Sequence, residues 1–334
     1  MIQFNDTKIA FAWRSNSELV KAKVLFKTIA WPALVKVGSA MLNIALAIRF
    51  PISWIVKPTI FKHFVGGENL AESNKTAQRL LQYNVNSVLD YSVEGADDEA
   101  IQEEAFNEIL RSVQNAKNNV SIAFTVFKPT GLISTKILEK VSNSQELSQH
   151  ETAQFDLFKQ RVKTLCEHSV SSNTPILVDA EDSWYQKAID DVVTHMMKEF
   201  NKEKVFVYNT LQMYRTDRLD FLKAAHKDAL AKGYLLGVKF VRGAYMEKER
   251  ARAQRFGYPS PIHPNKEETD KAFDDAQQYA FENLDTISIF CGTHNEQSIQ
   301  KLCGLMQSKG LQNNDARITF SQLLGMSDNI SFVL

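Results

Sequence analysis

A lysine and an arginine stand three positions apart in "GYLLGVKFVRGAY" (233–245), a stretch that is otherwise largely apolar. The pattern before them is typical of a buried strand, and charged side chains are rarely buried without a partner. Lys239 and Arg242 therefore lie either where the strand meets solvent or next to something anionic. Fixed cations could stabilise an anionic substrate and cofactor, whereas a lysine could instead form a Schiff base with a carbonyl compound.

Six other short β-branched or aromatic stretches also end in polar residues. These ends are Asp90-Tyr91-Ser92, Lys128, Asp179-Ala180-Glu181-Asp182, Gln212 with Tyr214, Thr293-His294-Asn295, and Gln322. A single polar end is explained by a solvated strand exit or by a helix cap, as Asp182 and Ser183 would be. Polar ends on all seven stretches favour a common site, in which Asp179 could handle protons.

The common phosphate, metal and nucleophile motifs are missing from the sequence. There is no GxGxxG, Walker, HExxH or GxSxG pattern, which disfavours a dinucleotide bound in the Rossmann manner. No cluster of metal ligands is visible, so we expect no metal. His168, His195 and His226 fall in helical stretches, where a histidine is typically a packing or surface residue.

Longer amphipathic segments separate the seven stretches, and this alternation predicts parallel strands joined by helices. The strand runs are 84–92, 119–128, 174–182, 204–214, 234–243, 286–295 and 316–326. Seven units favour an α/β fold of the (β/α)8 TIM-barrel type with the eighth unit absent, although a doubly wound sheet stays open. We assign residues 1–80 to an N-terminal helical arm and residues 81–334 to the barrel. Because the carboxyl ends of barrel strands meet on one face, the polar ends should lie together.

Composition limits the partners and the compartment. The 334 residues include 39 Lys and Arg and 39 Asp and Glu, so no basic excess indicates nucleic acid binding. The three cysteines form no CxxC pair, which fits a reducing, cytoplasmic setting. The first residues lack the pattern of a signal peptide.

The most apolar stretch, residues 39–56, is interrupted by Asn43, Arg49 and Pro51. A spanning helix needs about 20 apolar residues in succession. We therefore expect a packing arm, or a surface that touches the inner face of a membrane from one side, rather than a transmembrane helix.

Five collinear segments resemble the proline dehydrogenase (proline oxidase) family, in particular its mitochondrial-type and related bacterial branch. They are "LDYSVEG" (89–95), "LVDAEDSW" (177–184), "KFVRGAYMEKERARAQRFGYPSPIHPNKEETD" (239–270), "THNEQS" (293–298) and "FSQLLGMSDNISF" (320–332). The resemblance implies a distorted (β/α)8 barrel that binds FAD and oxidises L-proline to Δ1-pyrroline-5-carboxylate, with electrons passed to a membrane quinone.

The same resemblance implies roles for individual residues. Lys239 would lie beside the isoalloxazine as a fixed cation, and Gln212 would hydrogen-bond the ring. Gly243 would let the backbone approach the cofactor. Lys128 would face the proline carboxylate, and Asp179 would orient the cations around the site. The remaining matches are Ala180, Val241, Arg242, Thr293, His294 and Leu323 for the flavin, and Ala244 and Tyr245 for the substrate pocket.

One part of the family pattern is absent from the sequence. The family continues past "DNISF" with an eighth strand and a helix carrying an RRxxEN run, whose two arginines clamp the substrate carboxylate; this sequence has no such run. We therefore expect weaker proline binding than in an extended version, with Lys128 as the carboxylate's cation. Two alternatives to an active dehydrogenase stay open: a non-catalytic short form that binds flavin or a partner, and a Schiff-base aldolase that uses Lys128 or Lys239.

Overall fold

Seven parallel strands form one sheet whose order follows the chain. They are β1 (Ser87–Asp90), β2 (Ile122–Phe127), β3 (Ile176–Val178), β4 (Val207–Gln212), β5 (Leu236–Val241), β6 (Ile287–Gly292) and β7 (Ile318–Ser321). Each strand pairs with the next, and each lies within one of the seven stretches identified in the sequence. The predicted α/β fold of the TIM-barrel type is confirmed, and β1 and β7 form the two edges of this sheet.

The computed structural model describes residues 2–48, 50–52 and 56–334. The chain divides into two compact units. The first unit holds the sheet and comprises Asn86–Ser321 together with Ile2. The second unit comprises Gln3–Val85 and Gln322–Leu334.

Helices occupy the segments between consecutive strands and most of the second unit. They are α1 (Thr7–Ala10), α2 (Asn16–Ile29), α3 (Pro32–Ala47), a π-helical turn (Lys57–Phe61), α4 (Lys62–Phe64), α5 (Leu70–Leu81), α6 (Glu99–Asn115), a 3-10 turn (Pro129–Gly131), α7 (Thr135–Ser142), α8 (Gln149–Ser172), α9 (Ser183–Phe200), α10 (Arg218–Lys232), α11 (Met246–Phe256), α12 (Lys266–Glu282), α13 (Glu296–Ser308) and α14 (Asp328–Ser331). Their ends follow local chemistry. Helix α8 begins with a capping box between Ser148 and Glu151 and ends at Asn173, whose φ is 51°.

Apolar side chains cover both faces of the sheet, as expected for parallel strands. The larger cluster packs strand residues such as Phe127, Val238 and Phe240 against the helices. The second cluster lies on the opposite face of the strands and consists of Phe124, Val126, Leu177, Val205, Tyr208 and Phe290. We call these the helix-side cluster and the inner cluster. Both faces are thus largely apolar, and the charged side chains Lys128 and Asp179 directly follow β2 and β3.

The second unit ties the two ends of the described chain together. Asp328 accepts hydrogen bonds from Trp13 Nε1 (3.0 Å) and from Arg14 Nε (2.8 Å). The ring of Trp13 also stacks on Phe332, with 5.6 Å between ring centroids. Residues 322–334 are thus packed with the N-terminal helices within this unit.

No single helix among the described residues is both long enough and apolar enough to cross a membrane. Asn16–Ile29 and Pro32–Ile44 meet the length and composition requirements only as a pair, which is bent by 94°. Residues 49 and 53–55 of the apolar stretch noted in the sequence lie outside the described residues.

Candidate active site

The alternation of side chains along the strands brings polar residues to one face. Successive residues of a strand point to opposite faces. Lys128 lies two residues after Val126, and Asp179 lies two residues after Leu177, so both continue the face of the inner cluster. Lys239 is flanked by two residues of the helix-side cluster and therefore faces the same way. Three different strands thus deliver charged groups to one place.

These three residues form what we call the lysine–aspartate cluster. Lys239 Nζ lies 2.6 Å from Asp179 Oδ1, and Lys128 Nζ lies 3.2 Å from Asp179 Oδ2. All three side chains are between 15% and 19% exposed. Glu94 Oε2 lies 3.9 Å from Lys128 Nζ on the more open side. The cluster joins two cations through one carboxylate and keeps some contact with solvent.

The charges of the cluster hold one another in place. Burial by itself would raise the pKa of Asp179, but Lys239 and then Lys128 outweigh it and keep this pKa below its usual range. Burial likewise opposes the charge on Lys128, and Asp179 and Asp90 overcome it, so the pKa of Lys128 is raised. Asp179 is therefore an ionised clamp for cations and a poor proton acceptor near neutral pH.

Glu181, two residues after Asp179, has different surroundings. The residue is 2% exposed. Its Oε1 accepts hydrogen bonds from Thr130 N (3.2 Å) and Thr130 Oγ1 (2.8 Å), and its Oε2 lies 3.3 Å from the Tyr245 hydroxyl. Burial raises the pKa of Glu181 to about 7. The structure therefore places two carboxylates of opposite character side by side.

Arg242 does not join the lysine–aspartate cluster. Its Nε donates to Asp270 Oδ1 (2.6 Å), and its two terminal nitrogens donate to Thr293 Oγ1 (2.6 Å) and Ser298 Oγ (3.1 Å). The guanidinium also lies 4.5 Å from the centroid of the Phe273 ring. Arg242 and Thr293, both predicted cofactor residues, are thus linked to each other at the ends of β5 and β6.

The segment after β5 is held by Gln212 of β4. The main-chain N–H of Ala244 donates to Gln212 Oε1 (3.1 Å), while Gln212 Nε2 donates to the Glu181 carbonyl (2.7 Å). Gly243 adopts φ +135°, and a Cβ there would come within 2.5 Å of the Tyr214 ring. The close approach of Tyr214, as well as the positive φ, requires glycine at this position.

The remaining predicted site residues differ in exposure. Ala180 is buried and Val241 is half-buried, whereas the His294 side chain is exposed, although partial desolvation lowers its pKa. Leu323 belongs to the second compact unit and is 67% exposed. The flavin roles of these residues remain predictions.

Several polar contacts near the site could not be assigned from the sequence. Asp182 stands at the N-cap position of α9, but its carboxylate accepts from the Tyr185 hydroxyl (2.6 Å) and pairs with Lys248 instead of capping the helix. Glu249 caps it from α11, since its two oxygens accept from Ser183 N and Ser183 Oγ, each at 2.6 Å. The roles of Glu181 and Glu249 could have been suspected from the sequence only by noticing an acidic residue in a segment that becomes buried.

The donor set suits an anionic planar cofactor such as a flavin. Lys239 has three N–H donors, of which the contact with Asp179 uses one. Gly243 and Ala244 are exposed and small, so the main chain after β5 is open to close approach. A cation, an amide and an accessible backbone at adjacent strand ends fit the electron-rich edge of a flavin ring. Within the described ranges no group of three or more His, Cys, Asp or Glu side chains could hold a metal ion.

Comparison with protein families gives one match that covers most of the chain. The family model described as proline dehydrogenase matches residues 73–334. The match includes all seven strands and every predicted site residue.

Curated relatives fall in the same group. The carbapenem antibiotics biosynthesis protein CarD of Pectobacterium carotovorum subsp. carotovorum is 34% identical over 81% of this chain and 70% of its own length. Proline dehydrogenase 1, mitochondrial, of Dictyostelium discoideum is 27% identical over 98% of this chain and 65% of its own length. The chain thus spans about two thirds of each relative.

Solved structures show the same fold. Proline utilization A (PutA) from Bdellovibrio bacteriovorus, inactivated by N-propargylglycine, superposes with a TM-score of 0.71 at 20% identity. The similarity covers 81% of this chain and 29% of that one. At this identity the likeness bears on the fold.

Proposed function

Because this chain belongs to the proline dehydrogenase family, we propose that it oxidises L-proline to Δ1-pyrroline-5-carboxylate with FAD as cofactor, the first step of proline catabolism. The observation that carries the proposal is the lysine–aspartate cluster at the ends of β2, β3 and β5. It offers two lysines on the face where the strands' carboxyl ends meet, which is where barrel enzymes bind substrate.

Lys128 suits the carboxylate of an amino acid. Its ammonium carries three donors, and Asp179 takes one at 3.2 Å. Asp179 holds this lysine ionised and limits its rotation, so a substrate carboxylate would meet a preformed cation. Lys128 is a point charge, and it orients a carboxylate less strictly than a planar guanidinium would.

Lys239 suits the cofactor side of the site. Asp179 fixes its ammonium at 2.6 Å, and a cation held in this way stabilises developing negative charge without reorganising. Gln212, Val241, Gly243 and Thr293 would complete the cofactor contacts on the neighbouring strand ends. Bound FAD would supply the two-electron acceptor for oxidation of the carbon–nitrogen bond.

Flavin content and its response to proline test this proposal. Purified with FAD, the wild-type chain should retain the flavin, and L-proline should bleach its absorbance in the absence of oxygen. Lys239→Met should weaken flavin retention about tenfold or more, since one charge-assisted hydrogen bond contributes about 1.5–3 kcal/mol. Lys140→Met is the control, because Lys140 forms an ion pair of the same 2.6 Å length with Glu151 on α7 and α8.

The other outcomes point to the alternatives. A yellow protein that proline does not bleach would be a non-catalytic flavin-binding member of the family. A colourless protein whose Lys128 or Lys239 is trapped by borohydride on a carbonyl compound would be an aldolase. Equal flavin retention in Lys239→Met and Lys140→Met would contradict the cofactor role of Lys239.

We also propose peripheral contact between the second unit and a lipid surface, where a membrane quinone could accept the electrons. Apolar side chains that are 60% to 68% exposed occur along its N-terminal helices: Val20, Val24, Trp31, Met41, Ile44 and Ile48. The surrounding charge is basic, since residues 1–62 contain Lys8, Arg14, Lys21, Lys23, Lys27, Lys36, Arg49, Lys57 and Lys62 against Asp6 and Glu18. Apolar contact and attraction to anionic lipid reinforce one another, at about 1 kcal/mol per basic residue near the surface.

Sedimentation with lipid vesicles tests this contact. The wild-type chain should bind vesicles containing phosphatidylserine and bind neutral phosphatidylcholine vesicles more weakly. The combined change Val24→Ser, Trp31→Ser and Met41→Ser should reduce binding to both. Val120→Ser removes a 78% exposed valine from the first unit and should have no effect. Equal binding by the triple variant and wild type would exclude this surface.

A further inference from the structure

Glu181 is a buried carboxylate that the lysine–aspartate cluster does not neutralise. Its Oε1 is occupied by Thr130, through the main-chain N–H at 3.2 Å and the hydroxyl at 2.8 Å. Its Oε2 faces the hydroxyl of Tyr245 at 3.3 Å. The ion pairs described at this end of the sheet join Lys128 and Lys239 to other carboxylates. Hydroxyl groups are therefore the main polar partners of this carboxylate.

The groups that face Glu181 come from several elements. Burial raises the pKa of Glu181, the hydrogen bonds from Thr130 and the charge of Lys128 at the end of β2 lower it, and Glu94, which precedes α6, raises it. Tyr185 of α9 and Tyr245 before α11 are the titratable hydroxyls beside it. Burial outweighs these influences, so a carboxylate that can gain and lose a proton near neutral pH lies beside the site.

The reaction proposed above needs such a group. Proline carries a secondary ammonium at neutral pH, and the carbon–nitrogen bond can be oxidised only when the nitrogen lone pair is free. Asp179 is a poor acceptor for the ammonium proton, because Lys239 and Lys128 hold the pKa of Asp179 below its usual range. Two carboxylates whose environments separate their proton affinities commonly divide the roles of fixed charge and acid–base group.

We propose that Glu181 is the terminal acceptor of the substrate's ammonium proton, which reaches it through the hydroxyl of Tyr245. This inference rests on the proposed proline oxidation. In the step, an N–H bond of the ammonium breaks and its electron pair stays on nitrogen. The proton binds the Tyr245 oxygen while the tyrosine's own proton passes to Glu181 Oε2.

The relay is balanced and can be reset. The carboxylate of Glu181 becomes a carboxylic acid, and no atom is oxidised or reduced in the transfer. Burial and the nearby carboxylates raise the pKa of Tyr245, so its hydroxyl stays neutral and able to donate. Glu94 Oε2 lies 3.3 Å from the same hydroxyl, and the Glu94 side chain is 50% exposed. The proton can therefore return to solvent through Glu94.

The pH dependence of flavin reduction tests the relay. The FAD-loaded protein is mixed with L-proline without oxygen, and the second-order rate constant for flavin reduction is measured between about pH 5 and about pH 9 for wild type and Glu181→Gln. Wild type should show an inflection near pH 7. Glu181→Gln should lose this inflection and fall by about 10²- to 10⁴-fold at neutral pH. The loss should shrink as pH rises, because more of the substrate is then the free amine.

Glu249→Gln is the matched control. Glu249 is also a fully buried glutamate, and it likewise accepts from one main-chain N–H and one hydroxyl of the same residue, Ser183. Glu249 stands outside the relay. Any decrease in the rate of flavin reduction in Glu249→Gln should therefore be the same at every pH, and the wild-type inflection should remain. A purely structural role of Glu181 would give the same uniform loss.

The possible outcomes separate this inference from the proposed function. If Glu181→Gln keeps the wild-type inflection, the relay is refuted while proline oxidation stands. If Glu181→Gln does not fold, Tyr245→Phe serves instead, because it removes the hydroxyl that passes the proton. An inflection near pH 7 that is retained in Tyr245→Phe refutes the relay. A wild-type flavoprotein that proline does not bleach at any pH refutes both the proposed function and the relay.

Discussion

Two carboxylate–cation groups of the first unit contrast in design. In the first, Asp190 accepts from Gln186 Nε2 and Asn209 Nδ2, each at 2.9 Å, and from Arg218 at 2.8 Å. Its ion pair with Arg218 has side-chain exposures of 8% and 4%. The second is the lysine–aspartate cluster, whose two cations are point charges that retain partial exposure. Both groups are ionic, but they differ in how many of their hydrogen-bond donors and acceptors are already engaged within the protein.

The difference separates a structural ion pair from a candidate site. Arg218 also contacts Asp217 and lies 4.5 Å from the centroid of the Phe221 ring, so its planar guanidinium is engaged on several sides. Such a group joins α9, β4 and α10 and has little capacity left for a ligand. The lysines of the cluster keep donors and some solvent contact at the strand ends. A partly used set of cations marks the place where an anion can bind.

The largest effect on stability should come from breaking the structural pair. Arg218→Met would leave Asp190 buried without its cation, which costs about 3–5 kcal/mol of unfolding free energy. Urea unfolding measures this loss. Arg111→Met is the control, since Arg111 pairs with Glu108 at the surface with 63% exposure and its loss should stay within about 0.5 kcal/mol. Similar midpoints for the two variants would show that the Asp190–Arg218 pair contributes little.

The next largest effect on stability concerns Glu181, which forms an ion pair with neither an arginine nor a lysine among the described residues. Its pKa is raised from the unfolded value of 4.5 to about 7, so the folded state keeps a proton that the unfolded state has lost. The contribution of Glu181 to the free energy of unfolding is therefore complete below about pH 4.5. It is lost as pH rises through about 7, by about 3 kcal/mol in total. The glutamine of Glu181→Gln does not titrate. The free energy of unfolding of this variant should therefore rise by about 3 kcal/mol relative to that of wild type between acidic and alkaline pH.

The opposite sign at a second glutamate checks this linkage. Lys140, followed by the Ser148 cap, lowers the pKa of Glu151 to about 2. Its contribution is present above about pH 4.5 and is lost as pH falls toward about 2. The stability of Glu151→Gln should therefore fall relative to that of wild type as pH rises. Thermal unfolding at several pH values compares the two variants, and parallel curves for Glu181→Gln and wild type would contradict the buried-acid interpretation.

The smallest effect on stability should come from the lysine–aspartate cluster, together with a large effect on function. Asp179→Asn removes the carboxylate that orients two lysines, but these lysines can turn toward water, so we expect a loss of about 1–2 kcal/mol. Misplacing the cations by about 1 Å should slow flavin reduction by proline about 10²-fold. Urea unfolding and anaerobic flavin reduction measure the two quantities. A stability loss as large as that of Arg218→Met would make the cluster structural.

The strands were predictable because their signal is local. Each strand combines β-branched and aromatic residues with polar residues at or just after its carboxyl end. The same rule identified Lys128 and Asp179, which directly follow apolar strands, and Lys239, which lies two residues before the end of β5. The alternation of side chains then determined which face they share. These parts of the site required no knowledge of distant contacts.

Other parts depended on residues far apart in the chain. In "DAED" (179–182) the three acidic residues look alike in the sequence, yet Asp179 is clamped by lysines, Glu181 is buried against hydroxyls and Asp182 binds Tyr185. Arg242 is close to Lys239 in the sequence but is held by Asp270 and Ser298. The predicted cap at Asp182 is supplied instead by Glu249.

The sequence by itself therefore determined the class of fold, the strand positions, the resemblance to a family and the cations at the strand ends. These properties follow from local patterns of apolar and polar residues, which act over a few positions. The tertiary structure alone decided which acid is ionised and which holds a proton near neutral pH. The charge of Asp179 depends on lysines that lie 51 and 60 residues away, and the proton affinity of Glu181 depends on its burial against Thr130 and Tyr245. Electrostatic energy and desolvation are set by distance in space, so only folding could assign these roles.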